Sequence, residues 1–228
     1  MIEFKNLKLA YGNHIVIEDL NAVWKEHGIY GIVGLNGAGK TTLFQAMCGM
    51  KKPAAGQILV DDKPLRKQEV FFLETYPYFY PNITGREYLS LFECTRGNYN
   101  ETKLLDLLQL PLDDLIENYS TGMKKKLALM ALLKKDKAVY LLDEPFNGLD
   151  LESNHILEVI LEVLKEKGSA VFIASHILDP MLRICDGIHI LESGNFKKYF
   201  QRDQFDLVAS MLFGDLAQKA KAVIENAL

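Results

Sequence analysis

The nine residues "GLNGAGKTT", Gly34 to Thr42, restrict the possible folds of this chain more than any other feature. They match G-x-x-x-x-G-K-[ST] and follow a short apolar run, "IYGIVG". Glycines let successive backbone N–H groups wrap around an anion, and a helix that starts where the loop ends adds its partial positive charge. That chemistry works only if a strand delivers the loop to a helix N-terminus. The later runs "AVYLLD" and "SAVFIAS" are continuous, β-branched and bounded by charged or small residues, as strands covered on both faces of a parallel sheet are. Helical patterns from Lys40 to Cys48, Leu151 to Lys165 and Asp179 to Ile184 lie among them. The alternation predicts an α/β domain.

The first residues read differently. "IEFKNLKLAYG" and "IVIEDLNAVW" alternate polar and apolar positions, which predicts an N-terminal antiparallel β portion. From 84 to 134 the helical segments "TGREYLSLFECT", "ETKLLDLLQL" and "STGMKKKLALMALLKK" predict an inserted α-helical subdomain. The expected architecture is thus an α/β P-loop NTPase core, 1–83 and 135–200, with a mainly parallel sheet. Residues 201–228 form a helical tail, expected as a packed terminal helix pair.

A chain of 228 residues can bury a large core, and 49% hydrophobic with 25% charged residues suits a soluble globular protein. The net charge of −4 and short, separated basic clusters argue against a nucleic-acid partner. Cys48, Cys94 and Cys185 lack metal-ligand spacing and read as reduced, buried thiols of a cytosolic protein. The start does not resemble a signal peptide, and no apolar run approaches the roughly 20 residues that span a bilayer. Any membrane component must come from another chain.

The candidate phosphate contacts are Gly34, Asn36, Gly37, Ala38, Gly39, Lys40, Thr41 and Thr42. Lys40 would reach the β- and γ-phosphates of a nucleotide, and the Thr41 hydroxyl would bind Mg²⁺. "VYLLDEP" ends a strand in two carboxylates that must point to opposite sides. This gives Asp143 to the Mg²⁺ shell and Glu144 to the attacking water; alone, such an end could also be a solvated turn. His176 in "IASHILDP" ends another strand, where a lone histidine is as readily a structural cap. "YSTGMKKKLALM" poses a puzzle: Lys124, Lys125 and Lys126 crowd the first turn of a helix, against its dipole. Ser120, Thr121 and Gly122 in front of that helix suit an anion.

Taken in order, "GLNGAGKTT", "YSTGM", "VYLLDEP", "FNGLD" and "IASH", with Tyr11 upstream, resemble the ATP-binding subunit of ABC transporters over nearly the whole chain. The resemblance implies ATP and Mg²⁺ as ligands and ATP hydrolysis as the activity. It implies a head-to-tail pair of ATP-binding subunits, identical or related, in which the signature Ser120 and Gly122 reach the γ-phosphate held by the other copy. It further implies that Tyr11 stacks on adenine, Asp150 links the two sites, His176 contacts the γ-phosphate and Glu144 is the general base. The partners implied are integral membrane permease subunits, with this chain peripheral on the cytoplasmic face of the cell membrane. "YPNITGREYL" and "GMKKKL" resemble the exporter branch; the rival is a soluble ABC ATPase of a cytosolic machine. A guanine-specific P-loop enzyme is disfavoured, since no N-K-x-D occurs.

Three positions depart from the family pattern. Thr121 replaces a signature glycine and Met123 its glutamine. The loop glutamine aligns with Thr75, or with Glu74 after a one-residue shift. The lysines of the signature helix are expected to face solvent or a membrane subunit. Tyr76, Tyr78, Phe79 and Tyr80 are either a groove for a membrane subunit or ordinary core.

Overall fold

The computed structural model describes residues 1–24 and 27–227, without the side chains of 213–219, 221–222 and 226–227. Strands β1 (Ile2–Tyr11) and β2 (His14–Trp24) form a hairpin, and β3 (Gly28–Val33) leads through the glycine loop into α1 (Lys40–Met47). Strands β4 (Ala55–Val60), β5 (Lys63–Pro64) and β6 (Val70–Leu73) follow. Three helices come next, α2 (Gly85–Ser90), α3 (Glu101–Leu108) and α4 (Thr121–Lys134). Then β7 (Val139–Asp143), α5 (Leu151–Glu166), β8 (Ala170–Ser175) and α6 (Leu178–Ile184) precede the pair β9 (Gly187–Glu192) and β10 (Asn195–Gln201). Helix α7 (Asp206–Ala227) ends the described chain.

Two sheets result. One is antiparallel, in the order β2-β1-β4-β5; the other runs β10-β9-β3-β8-β7-β6, parallel except at β9–β10. The three central strands β3, β8 and β7 are buried at every position, as their continuous apolar runs require. Their C-terminal ends lie side by side, Val33 against Ser175 and Asp143 against Ala174. The loops that follow these strands therefore open on one edge of the sheet, where α/β folds bind ligands.

The core divides accordingly. One cluster packs Leu142, Leu161 and Ile173 between the parallel sheet and α4–α6, and another packs Phe4, Trp24 and Phe172 between the two sheets. A third, with Tyr88, Leu108 and Met130, belongs to α2–α4.

Several elements differ from expectation. The helix expected across "TGREYLSLFECT" stops at Ser90, because Lys134 Nζ caps the Leu89 carbonyl at 2.6 Å and Thr95 N bonds to Lys134 O at 3.0 Å. Those tertiary bonds draw the following residues into a loop. The tail is one continuous helix to Ala227 and not a pair, and Leu228 lies outside the described residues. Strands β4, β5, β6, β9 and β10 were not anticipated, and Cys94, expected buried, is exposed while Cys48 and Cys185 are buried.

Candidate nucleotide site

Gly34 lies so close to the neighbouring strand that a Cβ would stand 2.3 Å from the Leu191 carbonyl oxygen, so only glycine lets the loop leave β3 there. Gly39 caps α1 at φ +105°, a conformation that side chains resist. The loop thereby turns its backbone toward a cleft of about 560 Å³ lined by Asn36, Gly37, Ala38, Gly39, Lys40, Thr41 and Thr42. Tyr11, Thr75, Asp143, Glu144 and His176 line the same cleft from four other segments.

Within it, the Lys40 ammonium is buried and donates to the Gly34 carbonyl at 2.7 Å and the Leu35 carbonyl at 3.3 Å. Burial lowers its pKa, partly offset by Glu144 and Asp143. The Thr41 hydroxyl donates to Asp143 Oδ2 at 2.7 Å. Asp143 is 2% exposed, and burial raises its pKa against the hydrogen bonds it receives from Thr41 and Thr75. Of the two residues left open, Thr75 lines the cleft, beside Tyr76, and Glu74 does not.

Glu144 takes the opposite side of the strand end. Its backbone is left-handed, φ +48°, and its N–H donates to the Ala174 carbonyl at 2.8 Å. Its carboxylate accepts from Ser175 Oγ at 3.0 Å and His176 N at 3.1 Å, and it meets His176 Nδ1 at 2.8 Å. Lys40 Nζ stands 4.0 Å from it. A carboxylate beside a phosphate loop, joined to a histidine half open to the cleft, can take a proton from a water attacking phosphorus.

Tyr11 is 50% exposed, its hydroxyl donating to Gln45 Oε1 at 2.9 Å while Lys51 Nζ lies 3.4 Å from its ring centroid. The ring is held from one side by these partners and also lines the cleft.

Four expected residues do not line the cleft, Gly34 at the foot of the loop and three on other helices. Ser120 is the exposed N-cap of α4, accepting from Met123 N at 3.2 Å; Gly122 follows it in the first turn. Asp150 is the exposed N-cap of α5, accepting from Ser153 N at 2.7 Å.

The lysines of α4 correct one expectation. Lys125 is 4% exposed and faces neither solvent nor a partner surface: its Nζ donates to the carbonyls of Glu144 at 2.7 Å and Pro145 at 3.2 Å. Burial pulls its pKa down to about 8. The aromatic stretch also separates: Phe79 packs on Tyr88 with ring centroids 4.8 Å apart, whereas Tyr76, Tyr78 and Tyr80 are exposed. His14, Val16 and Asn147 line the cleft as well and were not anticipated. Asn147 stood in the quoted "FNGLD"; His14 is the hairpin partner of Tyr11, a pairing that "GN" between them signals.

Comparison with known proteins agrees with this geometry. The family model described as ABC transporter matches residues 17–147. The Nod factor export ATP-binding protein I of Burkholderia orbicola is 31% identical over 207 residues, covering 85% of this chain and 68% of that protein. A solved ATP-binding subunit of an ABC transporter superposes with a TM-score of 0.81 at 28% identity, over 95% of this chain and 99% of that one. A dimeric ATP-binding cassette in a post-hydrolysis state with ADP and Pi shares the fold, with a TM-score of 0.76 at 20% identity over 89% and 99% of the two chains. The chain belongs to the ABC transporter family, as an ATP-binding and ATP-hydrolysing subunit.

Proposed function

We propose that this subunit works as one half of a head-to-tail pair, closing on ATP to drive membrane subunits of an exporter. The observation that carries the reading is the division of the site: the phosphate loop, Asp143, Glu144 and His176 share one cleft, while Ser120, Gly122 and Asp150 do not line it. A second copy facing the cleft would bring its own Ser120 and Gly122 N–H to the γ-phosphate, where the α4 N-terminus is an anion site. The dimeric cassette with ADP and Pi and the relative named for Nod factor export support the reading.

Within each cleft, the loop amides and Lys40 hold the phosphates, and Tyr11 stacks on the adenine. Glu144 takes a proton from water as the water oxygen bonds to the γ-phosphorus and the bond to the β–γ bridging oxygen breaks, leaving ADP and phosphate. His176, held by Glu144, orients toward the γ-phosphate. Thr41 Oγ1 and Asp143 Oδ2 are adjacent hard oxygen donors that would hold Mg²⁺. Mg²⁺ supplies charge neutralisation at the transferred phosphoryl group.

No described helix is long and apolar enough to cross a membrane; in the proposed reading the membrane subunits dock on this domain. Tyr76, Tyr78 and Tyr80, at 84%, 68% and 55% exposure, rim a groove with Ile116 and Lys124 that suits a short helix of such a subunit. This chain then sits on the cytoplasmic face. Co-purification with a polytopic protein from detergent-solubilised membranes is expected, and recovery only in soluble complexes would refute the transport role. For the pair itself, Glu144→Gln with saturating ATP and Mg²⁺ should run at twice the monomer mass in light scattering, and a persistent monomer would refute it.

A further inference from the structure

We propose that Lys125 is a positioning residue: it grips the Glu144 turn from behind and ties the chain's own signature helix to its own hydrolytic carboxylate. This rests on Glu144 being the base. Three anchors act on Glu144. Its N–H is held by the Ala174 carbonyl, its carboxylate by Ser175 and His176, and its carbonyl by Lys125 Nζ and, at 3.3 Å, by Asn147 N. The anchors are needed because a non-glycine residue at φ +48° is strained. Of the three, only Lys125 comes from outside the sheet edge.

The choice of lysine is informative. A buried ammonium is unfavourable unless paired, yet Lys125 Nζ donates to two backbone carbonyls and forms no ion pair among the described residues. An apolar side chain of similar volume would fill the space without that desolvation cost. What lysine adds is a fixed distance between α4 and the Glu144 turn. Ser120 caps the same helix five residues earlier, so a shift of α4 when Ser120 meets a phosphate moves the atom that holds the Glu144 carbonyl. The carboxylate of one site is thereby set by the occupancy of the other.

Lys125→Met removes the donor and keeps most of the stem. Expected are a melting temperature at or above that of the unaltered chain, ATP affinity without turnover changed less than twofold, KM within twofold and kcat down ten- to a hundredfold. Lys125→Gln, whose amide can still donate to a carbonyl, should recover kcat to within fivefold of the unaltered chain. If Lys125→Met does not fold, Lys125→Thr, too short to reach either carbonyl, must show the same loss. A kcat within twofold for the donorless variant overturns the proposal, as does a parallel fall in ATP affinity and melting temperature. The Glu144→Gln variant separates the two readings. If it turns over at the unaltered rate, the base assignment fails; if it is inactive while Lys125→Met is unimpaired, only the lysine proposal fails. Combining Glu144→Gln with Lys125→Met should cost no more than Glu144→Gln alone, and a multiplicative loss would contradict a role exerted through Glu144.

Discussion

The start of α4 and the end of β7 make a useful contrast. At the β7 end, Asp143 and Glu144 are buried and each is held by at least two hydrogen bonds from neighbouring segments. At the α4 start, Ser120 is exposed and its hydroxyl oxygen accepts from the Met123 N–H of its own turn. The first is built before substrate arrives; the second is a cap with spare capacity. Preorganised groups lower a barrier without reorganising during the reaction, whereas an exposed cap becomes useful only when an anion is brought to it. The difference is what the proposed pairing calls for: one half-site complete within the chain and an exposed cap left for another.

The largest test of the finished half is Glu144→Gln, which should lower kcat by about 10²–10⁴-fold while ATP still binds, measured by phosphate release and by nucleotide titration. Unchanged turnover would move the base elsewhere. On the unfinished half, Ser120→Ala removes a hydrogen bond to a charged group, a loss of about 1.5–3 kcal/mol, or roughly tenfold to a hundredfold in turnover. The contrast sharpens if ATP affinity of the diluted monomer is untouched, and it breaks if that affinity falls equally. Tyr11→Ala should weaken ATP binding by about 1–3 kcal/mol, the usual value of a base–aromatic stack, with kcat preserved. Tyr140→Phe, which strips the β7 hydroxyl bonded to Arg96 and Lys135, should reduce unfolding stability by about 1–3 kcal/mol with little change in KM.

How much of this was legible in the sequence depended on how local the physics was. The phosphate loop was readable because Gly34, Gly39 and Lys40 answer to backbone geometry and chemistry inside nine residues. The buried strands β7 and β8 were readable because both faces are covered and the apolar run is unbroken. Strand β6 was missed because it has only four residues, and β9–β10 because its Ser193–Gly194 turn, with both φ positive, was passed over although it is a good hairpin signal. Lys125 was misread for a plainer reason. Three consecutive lysines look alike in sequence, but a helix turns about 100° per residue, and only the middle one points at the Glu144 turn. Thr75 could be separated from Glu74 only once β6 fixed which residue reached Asp143.

The dependence of hydrolysis on chain concentration bears most directly on the shared site. Phosphate release per chain should climb with concentration and level off as pairs form, with the half-maximum at the dimerisation constant measured for Glu144→Gln with ATP and Mg²⁺. A rate per chain that stays flat through concentrations where scattering finds only monomers would contradict it.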